Sequence, residues 1–142
     1  MIEATSLTKK FGALTALSNV SFRVYPGEVV GLLGPNGAGK TTTMRILTGF
    51  IPPTEGTVTI SGIDILKEPK RAKKKIGYLP EIPPLYPELT VEESLRFVAE
   101  LHHVEDQKNK IDSALTKTGL TTVRGRLVQN LSKGFRQRVG IA

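Results

Sequence analysis

Residues Gly34 to Thr41 read Gly-Pro-Asn-Gly-Ala-Gly-Lys-Thr, the spacing G-x-x-x-x-G-K-[ST]. With glycine at about 7% of average composition, a chance match at any one position is on the order of one in tens of thousands. These residue types suit the binding of a nucleoside triphosphate. Gly34, Gly37 and Gly39 let the backbone through Pro35, Asn36 and Ala38 curl its N–H groups around an anion without a Cβ clash. A helix opening after the loop aims its positive end and unpaired N–H groups at the same phosphates. Lys40 is expected to reach the β- and γ-phosphates and the Thr41 hydroxyl to take one place on an octahedral Mg²⁺. Thr42 is expected to donate toward the α-phosphate.

The flanking sequence predicts the elements that hold this loop. Val20, Phe22 and Val24 alternate with Ser21 and Arg23, the period of a half-buried strand. Tyr25-Pro26-Gly27-Glu28 carries turn chemistry. The apolar run Val29-Val30-Gly31-Leu32-Leu33 reads as a strand buried on both faces of a parallel sheet. Behind the loop, Thr43 onward continues a helix closed by Gly49. Pro52 to Gly56 reads as a turn, Thr57 to Ile60 as a strand, and Ile76 to Leu79 as one more.

Four prolines at 80, 83, 84 and 87 then make residues 80–89 a stiff loop. Thr90 and Glu93 have capping-box spacing, so a helix is expected there, with an apolar stripe of Val91, Leu95, Val98 and Leu101. A second helix is expected from Lys108 to Lys117, with Ile111, Ala114 and Leu115 inward and Gly119 as its stop. Ser132, 92 positions after Lys40, is placed to cap a third helix with an anion-friendly N-terminus. The sequence stops inside that periodic segment, the pattern expected of a truncated chain.

Composition narrows the class. The 142 residues are 39% hydrophobic and contain no run long enough to span a bilayer. There is no signal-peptide pattern at the start. Zero cysteines leave neither a disulfide framework nor a thiolate metal site, and suit a reducing cytoplasm. His102 and His103 are neighbours on an expected helix and cannot face one ligand. The net charge of +7 is concentrated at Lys67, Lys70, Arg71, Lys73, Lys74 and Lys75. No aromatics interleave with these cations, so a solvated basic face is the first reading. Contact with anionic lipid or an acidic loop stays open, and nucleic acid is not expected.

Taken together, the phosphate loop and Leu131-Ser132-Lys133-Gly134-Phe135-Arg136-Gln137-Arg138 resemble the nucleotide-binding domain of ABC transporters, whose signature is Leu-Ser-Gly-Gly-Gln. The likeness extends over the whole chain. Leu7 to Gly12 resembles the opening strand, with Phe11 where an aromatic stacks on adenine. Ile76 to Glu81 resembles the Q-loop. The resemblance implies an α/β P-loop NTPase core with an N-terminal antiparallel β-subdomain and an α-helical subdomain. Its sheet is expected to be incomplete, with 29–33 and 57–60 uncovered. The implied organisation is a partial domain over 1–142: β-subdomain and phosphate loop to residue 80, Q-loop 81–89, and helical subdomain with signature helix from 90.

The same resemblance implies ATP and Mg²⁺ as ligands, with Glu81 reaching the metal through water. It also implies a head-to-tail dimer in which Ser132, Lys133, Gly134 and Phe135 act on the nucleotide of a second nucleotide-binding subunit. The expected setting is the cytoplasmic face of the membrane, beside a transmembrane permease subunit. Glu81 replaces the usual Gln, and Lys133 and Phe135 replace a Gly and the Gln of the signature. These departures resemble exporter-type subfamilies related to multidrug and gliding-motility ATPases. No apolar run followed by Asp-Glu occurs within residues 1–142, so no catalytic residue is assigned in them. Two rival readings are a soluble ABC-type ATPase acting on nucleic acid and a non-catalytic nucleotide-binding regulator.

Overall fold

The computed structural model describes residues 1–142 and divides into two compact units, Met1–Tyr78 and Leu79–Ala142. The fold is mixed α/β, with an antiparallel sheet in the first unit and helices filling the second.

The first unit is built on strands β1 (Ile2–Phe11), β2 (Leu14–Val24), β3 (Glu55–Ile60) and β4 (Ile63–Asp64), in the order β2-β1-β3-β4. β2 folds back on β1 with Phe11 opposite Leu14 and Ile2 opposite Val24. Two residues of this hairpin, Ser6 and Asn19, take left-handed backbone at irregularities in the ladder. Their N–H groups are satisfied by hydroxyls instead of carbonyls: Ser6 donates to Ser21 Oγ at 2.8 Å and Asn19 to Thr8 Oγ1 at 3.1 Å. Gly56 of β3 fits against the same irregularity. A Cβ there would lie 2.4 Å from the Ser6 carbonyl oxygen, at a φ of +87°.

Helix α1 (Lys40–Leu47) buries Ile46 and Leu47 in a core with Ala4, Leu7, Leu17, Val58 and Ile60 of the sheet. Its end is a Schellman motif: Gly49 N–H reaches Ile46 O and Phe50 N–H reaches Arg45 O. A short helix α2 (Pro69–Lys73) adds Ala72 to this core. Neither this helix, inside the basic run, nor β4 is among the elements expected from the sequence. Ser61 and Gly62, both at positive φ, turn β3 into β4 in the manner of a two-residue hairpin.

Residues 29–33 do not form the expected strand. They lack regular structure, with Val29 and Leu33 almost wholly exposed. A strand of a parallel sheet is stabilised by the ladders on its two sides, and no other strand of this chain lies alongside these residues. Residues 76–79 are likewise without a ladder. The expectation for 57–60 is also corrected, because Val58 and Ile60 are buried by α1 and Ile65.

The second unit comprises α3 (Val91–Leu101), α4 (Gln107–Lys117), α5 (Lys133–Ile141) and 3₁₀ turns at Thr121–Val123 and Val128–Asn130. The capping box forms as expected: Glu93 N–H donates to Thr90 Oγ1, and Thr90 N–H donates to the Glu93 carboxylate. The inward face of α3 is Val91, Ser94, Leu95 and Ala99, whereas Val98 and Leu101 lie exposed. Small Ala99 lets α3 approach the rest of the cluster, and the larger apolar residues fall on the other side. On α4, Ile111 and Leu115 are buried and Gly119 ends the helix in a left-handed turn, as expected, whereas Ala114 is only half-buried.

Arg124 ties this unit together. Its Nε and Nη2 form a fork on the Glu92 carboxylate of α3 at 2.6 and 2.7 Å, and Nη1 donates to Asp112 of α4 at 2.7 Å. The main chain follows the same path, since Glu92 N–H donates to Arg124 O. The Arg124 hydrogen bonds hold the Glu92 carboxyl at about 2, well below the ordinary carboxylate range. Because the folded value is the lower one, the pair's contribution is complete above the unfolded pKa near 4.5. It is lost as pH falls from there toward 2.

Two outcomes are expected. Urea unfolding followed at several pH values should show stability falling between about pH 4.5 and 2, with Glu92→Gln flattening that slope. Gly56→Ala should cost about 2–3 kcal/mol by the same measurement, because backbone carbonyls cannot give way to the added methyl.

Candidate functional site

The phosphate loop of the first unit leads directly into α1. Gly39 is the N-cap, at φ +81°, and it is pressed against β2. A Cβ at this position would lie 2.5 Å from both the Ala16 carbonyl oxygen and Leu17 Cδ2. The loop therefore rests on β2 only because residue 39 has no side chain. Gly37, at φ +85°, supplies a second left-handed step, and Ala38 N–H closes a turn on Pro35 O.

No side chain caps the start of α1, and no acidic residue stands in its first turn. Its N–H groups and its positive dipole end thus remain available to an anion. Lys40 Nζ donates to Gly34 O and Pro35 O, each at 2.7 Å, which keeps its ammonium over the loop and leaves the third N–H free. Thr43 turns its hydroxyl back onto Gly39 O and is buried, fixing the first turn to the loop. Thr41 is exposed and Thr42 half-buried. No cluster of His, Asp or Glu forms a metal cage.

Phe11 lies at the tip of the β1–β2 hairpin, a few residues from the Ala16–Leu17 seat of the loop. Its ring is half-exposed, and Lys9 Nζ stands 5.1 Å from its centroid.

In the second unit the structure brings Glu81 and the Ser132–Phe135 segment to one surface. Ser132 caps α5, its Oγ accepting from Phe135 N–H at 3.3 Å while its own proton stays free to donate. Ser132, Lys133 and Gly134 are exposed. Phe135 is instead turned into its own unit: it packs on the helical core, and the Arg138 guanidinium lies 4.1 Å from its ring centroid.

Gln137 Nε2 donates to the Glu81 carbonyl, and Gly140 lets the loop touch α5, since a Cβ there would be 2.6 Å from Leu79 Cδ1. Neither residue stands out in the sequence. A glycine inside an expected helix is the available signal for the second. Beside this contact is an open cavity of about 540 Å³, floored by Ile82, Pro83, Leu85 and Val128 and edged by Glu81, Lys133 and Arg136.

Known proteins resemble this chain in sequence and in fold. The sequence model of the ABC transporter family matches residues 17–142. The whole chain is 39% identical to a probable multidrug ABC transporter ATP-binding protein of Escherichia coli, covering 25% of that protein. It is also 39% identical to a bacitracin transport ATP-binding protein of Bacillus licheniformis, of which it covers 46%. Among solved structures, an ATP-binding subunit of an ABC transporter superposes on 99% of the chain with a TM-score of 0.86 at 33% identity. The chain covers 59% of that structure. A dimeric bacterial ABC transporter cassette gives the same score at 29% identity, with 67% of it covered. The chain thus spans about half the length or less of these curated relatives. With the family's sequence model matching residues 17–142 and a solved ATP-binding subunit superposing on 99% of the chain, the chain belongs to the ABC transporter family.

Proposed function

We propose that this chain is the nucleotide-binding part of an ABC transporter subunit and that residues 34–42 hold ATP with Mg²⁺. The observation that carries this reading is the uncapped start of α1, pinned to β2 by Gly39 and overhung by Lys40. Backbone N–H groups of the loop and first turn would bind the phosphates, Lys40 would neutralise the β- and γ-oxygens, and Thr41 would be a ligand of the metal. Mg²⁺ would supply charge neutralisation between the phosphates. Phe11 would offer its exposed face to the adenine, with Lys9 displaced from it.

The second half of the site comes from another copy of the chain in a head-to-tail dimer. The free hydroxyl proton of Ser132 and the N–H groups of Lys133 and Gly134 at the start of α5 would meet the γ-phosphate there. Lys133 adds a positive charge to that end. The dimeric state of a structural relative supports this arrangement. The cavity beside Glu81 suits a segment of a transmembrane permease subunit, whose movement would be coupled to dimer closure through the loop that Gln137 and Gly140 hold. The setting that follows is the cytoplasmic face of the membrane. No helix of this chain is long and apolar enough to cross it.

Lys40→Ala should weaken binding of a fluorescent ATP analogue by about a hundredfold, the loss of one charged contact made to a desolvated phosphate. Unchanged affinity would remove the loop from the site. Residues 1–142 alone should bind nucleotide without measurable phosphate release. Turnover abolished by Lys40→Ala would show that water activation lies within these residues.

A further inference from the structure

We propose that Leu66–Lys75 is a contact surface for an anionic lipid bilayer, used by the first unit without any protein partner. Of these ten residues only Ala72 is buried, and it anchors the segment in the core. On α2, Lys70 and Lys74 lie opposite Ala72, while Arg71 and Lys73 flank them. Lys70 and Lys74 therefore project from the side that the core does not hold, while Lys73 lays its stem beside Gly49 and Ile65 and Lys75 edges a hollow with Met1, Met44 and Tyr78.

Two of the six cations are already matched. Lys67 stands 3.8 Å from Asp64, and Arg71 is paired with Glu68. Asp64 is itself occupied by the N–H groups of Leu66 and Lys67. Lys70, Lys73, Lys74 and Lys75 have no carboxylate partner. Four unmatched cations on ten residues constitute the charge density that an anionic leaflet attracts. Leu66, half-exposed at the edge of the run, adds one apolar side chain able to enter the headgroup region.

The residue types favour a membrane over other polyanions. Each free cation is a lysine, a mobile point charge, and the single arginine fork is held by Glu68. No aromatic residue lies within 66–75 to stack on a base.

The test is co-sedimentation of residues 1–142 with vesicles of phosphatidylglycerol mixed equally with phosphatidylcholine, against phosphatidylcholine alone. Binding should appear only on the anionic vesicles and vanish near 1 M salt, where the screening length is about 3 Å. Replacing Lys70, Lys73, Lys74 and Lys75 with Gln, which keeps the aliphatic stems, should lower partitioning by about six-hundredfold, near fivefold per charge. Lys108, Lys110 and Lys117→Gln should leave it unchanged.

Equal binding to both vesicle types would assign adhesion to exposed apolar residues such as Val29 and Leu33 and overturn the proposal. It is overturned equally if the quadruple variant binds as wild type, or if the lysines capture duplex DNA or polyglutamate but not vesicles.

Discussion

Everything proposed for nucleotide binding depends on the contact between Gly39 and β2. A main-chain atom of the loop sits where any side chain would strike the Ala16 carbonyl, and so the helix start is held at a fixed distance from the sheet. A phosphate site made of backbone N–H groups has no side-chain reach with which to adapt. Its geometry is whatever the main chain is fixed to, and here it is fixed to the strand that pairs with β1. The buried Thr43 hydroxyl carries the same constraint one turn into α1. Lys40 adds charge to a cradle whose shape is already set.

The second unit reaches rigidity by different means. It has no sheet, and its segments are joined by a buried cluster that includes Val91, Leu95, Ile111, Leu115 and Val139 and by one guanidinium shared between two helices. α3 and α4 both close with the 6→1 and 5→2 hydrogen bonds that end α1, although α3 uses His103 in the left-handed position usually taken by glycine. α5 carries the exposed serine and is clasped by the loop at Gln137 and Gly140. The face that offers hydroxyl and N–H donors is consequently part of the same packed body as Glu81.

Local chemistry is legible in the sequence. The glycine loop, the Pro26–Gly27 turn, the Thr90–Glu93 box, the stops at Gly49 and Gly119 and the Ser132 cap all depend on residues within a few positions of one another. What cannot be read there depends on distant neighbours. Val29–Leu33 has the composition of a strand, but a strand exists only where another lies beside it. Arg124 meets partners 32 and 12 positions away, from a segment without any periodic pattern. The inward face of α3 differs from the expected stripe because Ala99 weighs little in a hydrophobic pattern yet permits the closest packing. Phe135 has the position of a signature residue and the packing of a core residue, beneath Arg138.

The exposed run at Val29–Leu33 has a thermodynamic consequence. The phosphate loop is fastened firmly at its trailing end and less so at its leading end, where residues 34 and 35 are held only from within the loop, by Lys40 and by the Ala38 N–H. A phosphate that fixed that leading arm would bear the lost chain entropy in its affinity. Any element that paired with residues 29–33 would remove this cost before the nucleotide arrived. By reciprocity the nucleotide would strengthen that pairing by the same factor. Sheet completion and ligand binding are in this sense one equilibrium, viewed from the two ends of an eight-residue loop.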